Sequence, residues 1–300
     1  MKLPEIPKNE TERLAALHKY GILDTEFDEK FDALTQLASQ ICNTKIALIS
    51  LIDENRQWFK SVIGLKVRQT ARGISFCSHA INQPFELLEV QDASQDERFF
   101  DNPLVIGDPY IRFYAGFPVL DKQGFALGTL CVIDTVPKKL TTTQKSALKL
   151  LAKQVYHFIE LHSNTQSIEN ERQSFKRFAA LSPSIIYRHS SHKHLIYHSP
   201  KVEDLLGYTQ IDFKNNPNLW MKLIHKDDVN RVKETFKNAK INQKTNLTYR
   251  IQTKDQSWLW VNDIGISLKT KNNYFFKEGV VTNITETIKN KDVFLKNNKS

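Results

Sequence analysis

The sequence predicts an α+β chain of two domains, each an antiparallel sheet with flanking helices, joined by a long helix. Three observations carry this expectation. A length of 300 residues corresponds to about two domains. In each half, apolar residues recur first at helical spacing and then in strand-length runs parted by short polar turns. Between the halves, a helical period runs from residue 140 to Pro183 without a breaker.

The first half opens with a helix over 10–23, with Leu14, Leu17 and Ile22 on one face and Gly21 as its stop. A second helix over 31–42 carries Phe31, Leu34, Leu37, Ala38 and Ile41. The period then changes. Residues 45–52 are an apolar run of strand length, Asp53-Glu54-Asn55 is a turn signal, and 56–63 reads as the return strand of a hairpin. Residues 74–110 read as a helix and a long loop of the kind that carries function. Residues 111–134 are two strands about the turn 121–124. From 140 the pattern is helical, with Thr141 to Thr143 as cap candidates. A seven-residue line through Ala147, Gln154, Leu161, Ile168 and Phe175, with Leu151, Phe158, Thr165 and Arg172 between, makes an imperfect coiled-coil seam.

The second half begins after Pro183 with short strands in 184–190 and 194–200 about a polar turn. Short helical segments follow in 202–213, then a loop and helix in 219–239. Three strands rich in β-branched and aromatic residues, 245–253, 257–270 and 274–284, complete a meander. The domain boundaries read as 1–160, a helical linker 161–182, 183–288, and a polar tail 289–300.

Composition narrows the function classes. Apolar residues are 40% and charged residues 25%, enough to fill cores, and only 10 Gly and 10 Pro exclude collagen-like or low-complexity chains. No apolar run approaches the ~20 residues that span a bilayer, and the first residues lack a signal-peptide core. No membrane insertion is expected. Cys42, Cys77 and Cys131 are odd in number and lack CxxC spacing, which fits a reducing cytoplasm better than a disulfide scaffold or zinc site. The formal charge of +9 is uneven: residues 1–160 sum to −1 and 161–300 to +10. The excess is dispersed singly, as at Lys237, Lys240, Lys244 and Lys254. It reads as solvated surface, and no nucleic-acid partner is expected.

The stretches 12–39, 46–61, 75–81, 92–105 and 111–134 together resemble a GAF domain of the subtype that often fronts bacterial signalling proteins. The resemblance implies an antiparallel sheet with helices on one side and a ligand-sized pocket on the other. The stretches 185–213, 219–229, 249–261 and 279–286 resemble a PAS domain. That implies a module that takes a small molecule or a partner and passes strain to a flanking helix. One departure is Gln256 after Asp255, where Asp-Gly is usual.

In the first domain, Phe76, Cys77, His79, Arg112 and Tyr114 offer the apolar lining with a few aimed polar groups that small-ligand pockets use. Arg112 and Tyr114 share a strand face by the period of two and are expected to face the cavity. There a guanidinium would favour an anionic ligand. Pairing of Arg112 with Asp92 or Asp101 is the structural alternative. In the second domain the pocket candidates are Tyr187 and Tyr249.

Cys77 is the one nucleophile of interest, with His79 two residues on and Arg72 close by. The GAF-type methionine sulfoxide reductases use pocket cysteines, but the spacing of these three does not reproduce theirs. Cys131 lies in an apolar strand and reads as core. A bilin-binding cysteine would be followed directly by His, and here Ser78 intervenes. The run Glu29-Lys30-Phe31-Asp32 only partly matches a cyclic-nucleotide set and falls on the entry helix. His189, His192 and His194 fall at a hairpin turn and are expected to be solvent-exposed. His225 is ordinary for a PAS sequence. No cysteine follows Cys131, so covalent flavin photochemistry is excluded. Neither a catalytic set nor a metal site is assigned, and no cofactor is identified.

The sequence shows no histidine-kinase phosphoacceptor helix, Gly-rich nucleotide box, or GGDEF or EAL motif. The resemblances therefore imply a cytoplasmic sensing module without catalysis of its own. It would bind a small ligand, dimerise with itself, relay a change through the helical linker, and act on a downstream signalling protein. It would equally suit the sensory part of a histidine kinase or diguanylate cyclase. A thiol-based redox sensor or reductase centred on Cys77 is the alternative. A third reading is an interaction scaffold whose pockets are filled by side chains.

Overall fold

A computed structural model describes residues 1–190, 196–269 and 275–290. The chain divides into two units, Met1–Ile168 and Glu169–Ser300.

In the first unit, α1 (Glu10–Lys19) ends before Gly21, whose φ of 59° suits a residue without a Cβ. Helix α2 (Glu29–Cys42) is capped by the Asp28 carboxylate and stops at Asn43 in the left-handed region. The expected hairpin is β1 (Ile46–Ile52) and β2 (Arg56–Ile63). Residues 74–110, expected as one helix and a loop, are more broken up. Short strand β3 (Gln69–Ala71) and a 3-10 turn (Arg72–Ile74) lead into α3 (Phe76–Ala80), β4 (Leu88–Val90) and α4 (Pro103–Ile106). Elements this short hold too few positions to display a period. Strands β5 (Phe113–Leu120) and β6 (Ala126–Asp134) complete an antiparallel sheet of order β3-β2-β1-β6-β5-β4.

Both faces of this sheet are covered. Ala47, Ile49, Leu51, Phe113, Ala115 and Val132 pack with α1, α2 and the following helix. Leu48, Ile52, Tyr114, Cys131 and Ile133 pack beneath the α3–α4 segment. Burial on both sides is why β1 reads as a continuous apolar run instead of alternating.

Helix α5 (Thr142–Leu181) begins at a capping pair. Thr141 Oγ1 accepts from the Gln144 N–H at 3.3 Å, and Gln144 Oε1 accepts from the Thr141 N–H at 2.9 Å. Leu148, Ala152, Val155 and Ile159 are buried in the core of the first unit. The structure corrects part of the expected seam. Leu151 and Phe158 lean on that same core, with Phe158 edge-on to Phe31 at 6.0 Å. Leu150 is exposed on the earlier part of the helix, and further on Leu161, Ile168, Phe175, Phe178 and Leu181 are exposed as well.

The second unit holds, among the described residues, β7 (Ile185–Ser190), β8 (Ile196–His198), a set of short helices and a meander. The helices are α6 (Lys201–Leu206), α7 (Gln210–Asn215), α8 (Leu219–Leu223) and α9 (Lys226–Asn238). The meander is β9 (Lys244–Gln252), β10 (Trp258–Lys269) and β11 (Phe275–Asn283), and the sheet order is β8-β7-β11-β10-β9. The last strand thus lies in the middle, bonded to β7 and β10. In β9, Thr245, Leu247, Tyr249 and Ile251 point inward, the period of a half-buried strand. On β10 the inward position 263 is an aspartate, a break in the apolar pattern that marks a polar site.

Candidate functional site

The first unit encloses a cavity of about 480 Å³ lined by Leu48, Gln57, Phe59, Phe76, Cys77 and Tyr114, among others. Its floor is built by α3 lying on β5 and β6. Ser75 starts that helix: its hydroxyl accepts from the Ser78 N–H at 3.1 Å and donates to Gln57 Oε1. Phe76 then stacks on Phe99, with centroids 3.9 Å apart, and Cys77 turns to the sheet. Tyr114 reaches across the bare Gly116, where a Cβ would collide with its hydroxyl. Its Oη donates to Cys77 Sγ at 3.3 Å. Cys131 Sγ lies 3.7 Å from Cys77 Sγ.

All of these groups are buried, and so are the hydroxyls of Ser50 and Thr129, which face each other across β1 and β6 without a hydrogen bond of ordinary geometry among the described residues. Burial by itself would raise the Cys77 thiol. The hydrogen-bonding partners Cys131 and Tyr114, with the nearby Thr129 and Ser50 hydroxyls, outweigh burial and bring Cys77 down to about 7. Burial and the neighbouring Cys77 hold Cys131 well above its ordinary value. Cys42 stands apart in the other core, and burial pushes it up to about 11.

Two expected pocket residues lie elsewhere. His79 is not among the cavity-lining residues; it packs edge-on against Phe99 at 4.8 Å, and burial followed by the Arg98 charge lowers its pKa. Because 76–80 is helical, Cys77 and His79 diverge by about 200° around the axis. Arg112 does not face the cavity either. It precedes β5, and its Nη1 donates to the carbonyls of Val105 at 2.8 Å and Ile111 at 3.0 Å. It satisfies loop carbonyls that burial would otherwise leave unpaired. Neither Asp92 nor Asp101 is its partner: Asp92 accepts from Ser94, and Asp101 pairs with the terminal amine of Met1. Cys131 lies in the core as its apolar strand implied, but the sequence reading missed that it meets Cys77 there, together with Ser50 and Thr129. Their signal was a polar or sulfur-bearing residue within an apolar strand, on the face shared with Leu48 and Ile133.

The second unit holds a cavity of about 560 Å³ lined by Tyr187, His189, Trp220, Phe236, Asp263 and Lys277, among others. Tyr187 Oη donates to Asp263 Oδ1 at 2.8 Å, and Tyr249 Oη donates to Asp263 Oδ2 at 3.1 Å. Trp220 Nε1 donates to Tyr249 Oη at 3.0 Å. Tyr187 thus lines the cavity, whereas Tyr249 is a buried support behind it. Burial raises the Asp263 carboxyl, which Lys277 and the two tyrosines partly offset. The histidine expectation is corrected at His189. Its ring is turned inward, with Nε2 3.1 Å from His198 Nε2, and burial lowers His189 to about 4 and His198 to about 3. His192 and His194 lie outside the described residues. Among the described residues no group of three His, Cys, Asp or Glu side chains is placed to hold a metal, and no helix is long and apolar enough to cross a membrane.

Comparison with known proteins matches these two units to known domains. The GAF domain family matches residues 26–157, and the PAS fold family matches residues 195–277. A cyclic di-GMP phosphodiesterase of Pseudomonas aeruginosa is 46% identical over 138 residues, which are 46% of this chain and 23% of that protein. This chain thus matches about a quarter of that relative's length. The GAF domain of an Acinetobacter phosphoenolpyruvate-protein phosphotransferase aligns over 51% of this chain and 93% of its own, at 20% identity and a TM-score of 0.39. A sensory box histidine kinase/response regulator of Burkholderia thailandensis aligns over 42% of this chain and 95% of its own, at 17% identity and a TM-score of 0.35. The chain thus carries a segment that matches the GAF domain family followed by one that matches the PAS fold family.

Proposed function

We propose that the chain is a cytoplasmic sensing module. Its GAF cavity takes a small ligand, and the change passes along α5 within a homodimer to a signalling output. The boundaries that go with this reading are 1–160 and 183–288 for the sensing domains, 161–182 for the linker and 289–300 for a tail. The observation that carries it is the preformed cavity of about 480 Å³, whose largely apolar wall carries polar groups including Gln57, Cys77 and Tyr114 and the charged Lys66 and Asp108. The name of the Pseudomonas relative makes cyclic di-GMP turnover the first output to test, whether carried by a partner or by a further segment. Native mass spectrometry of freshly purified protein tests the ligand. The expected result is a bound small molecule that Leu48→Trp, which fills the cavity, releases. Wild-type protein carrying none, with no thermal shift from a library of small metabolites, would sink the proposal.

The approach of Cys131 to Cys77 favours a second reading, a dithiol sensor of hydroperoxides. The Cys77 thiolate attacks the distal peroxide oxygen, the O–O bond breaks, and the alcohol leaves with a solvent proton. The resulting Cys77 sulfenic acid is attacked by the Cys131 sulfur, an S–S bond forms, and water departs. Two thiols and one hydroperoxide thus become one disulfide, one alcohol and one water. Intact mass after peroxide treatment should fall by two hydrogens in the wild type. It should gain one oxygen in Cys131→Ser. A wild-type mass unchanged at excess peroxide rules this reading out.

A further inference from the structure

Lys277 occupies a position that is costly for a lysine. It projects from β11 into the PAS cavity, with its Nζ 3.0 Å from the centroid of the Phe236 ring. It makes no hydrogen bond among the described residues, so three donors of a desolvated ammonium go unused. The fold makes room for it: a Cβ on Gly265 would come within 2.7 Å of Lys277 Cε.

The nearest carboxylate offsets its charge only in part and makes no hydrogen bond to it. Asp263 lines the same cavity, but its two oxygens accept from Tyr187 and Tyr249. No other carboxylate lines the cavity among the described residues, whereas a second cation, Lys237, does. His189, turned inward on His198, is held neutral by burial. The remaining wall is largely apolar, including Trp220, Met221 and Phe276. Two lysines against one carboxylate leave one positive charge over in an aromatic and aliphatic chamber, which calls for one negative charge on an apolar body. A phosphate dianion would ask for more donors than this chamber presents.

We infer that the PAS cavity binds an apolar monocarboxylate, with its head on Lys277 and its body against Trp220, Phe236 and Phe276. This rests on the reading of the chain as a ligand-sensing module and names the ligand class for its second cavity. Burial lowers Lys277 to about 8. The groups that face it are Asp263 from β10, Tyr187 and His189 from β7, and Lys237 from α9. Lys277 loses its charge just above neutrality, so the head group loses its partner as pH rises past 8 and affinity should fall.

Titration calorimetry of the full chain with decanoate, decanol and decylamine tests this. Wild type should bind decanoate at pH 7 and at least tenfold more weakly at pH 9.5. Lys277→Met should lose decanoate affinity by a similar factor while keeping decanol. The wild-type pH series stands on its own if the variant fails to fold. Equal decanoate affinity at the two pH values and in Lys277→Met, or preference for decylamine, would overturn the carboxylate assignment while leaving a ligand cavity. Binding of none of the three would overturn both the assignment and the use of this cavity as a ligand site.

Discussion

Gly265 and Gly279 stand directly opposite one another across β10 and β11, and the hydroxyl of Tyr187 lies over both. A Cβ on Gly265 would fall 2.7 Å from that oxygen, and one on Gly279 would fall 2.6 Å from it. The bare pair is what lets the Tyr187 ring lie close on the sheet and reach Asp263. A side chain here would disrupt the hydrogen-bonded group at the base of the PAS cavity.

Gly279→Ala should therefore destabilise the PAS domain by about 1–3 kcal/mol, through overpacking and loss of the Tyr187 bond to Asp263. The added carbon also meets the Ile264 carbonyl at 2.6 Å, which is backbone and has little room to yield. Urea unfolding followed by tryptophan fluorescence reads this, since Trp220, Trp258 and Trp260 all lie in this domain. An unchanged midpoint would count against the close fit.

At the β9–β10 turn, Gln256, in the place where the PAS resemblance implies a glycine, holds a φ of 72°. The turn is kept by Asp255, whose Oδ1 accepts from the hydroxyls of Ser257, at 2.6 Å, and of Thr253. Left-handed backbone costs a residue with a Cβ about 1–2 kcal/mol, part of which glycine returns by freeing the unfolded chain. Gln256→Gly should stabilise the PAS domain by about 0.5–1 kcal/mol. A lower melting temperature than wild type would contradict this account.

In the GAF domain, Glu10 holds two arginines. It accepts from Arg13 Nε and Nη2, both at 2.8 Å, and from Arg72 Nη1 at 2.6 Å. Arg13 is only 1% exposed, and this carboxylate is its counter-ion. Burial raises the Glu10 pKa, but the two guanidinium groups together outweigh it and hold Glu10 below its ordinary 4.5. The stabilisation is thus complete above that value and is lost as pH falls through the lowered one. Glu10→Gln should cost the domain about 2–4 kcal/mol near pH 7. The difference from wild type should shrink steadily at more acid pH. A difference that grows on acidification would have the wrong sign for this pairing.

Along α5, Leu161 is 52% and Ile168 67% exposed, one heptad apart. A parallel homodimer would bury this stretch, whereas the helix before residue 160 already belongs to the GAF core. Sedimentation of the wild type should show a dimer. Leu161→Asp with Ile168→Asp should give folded monomers. A wild type that stays monomeric at about 100 μM would end the coiled-coil reading.

The strands expected over 45–52 and 56–63 and the Thr141 cap were legible in the sequence, because each is recorded in a local run or a local cap. So was the GAF-then-PAS order, which rests on runs of neighbouring residues. A period states which face a side chain occupies but not what that face meets. Cys77 and Cys131 are 54 residues apart and meet only because α3 lies on β6. Arg112 was assigned to the cavity by alternation, yet β5 starts one residue later and the guanidinium turns to loop carbonyls. Lys277 read as one more dispersed basic residue until β11 settled between β7 and β10 and carried its amine over Phe236. Each of these depends on pairing between distant segments, and it is tertiary packing that decides whether a polar group reaches water or is left in an apolar chamber to shape what binds there.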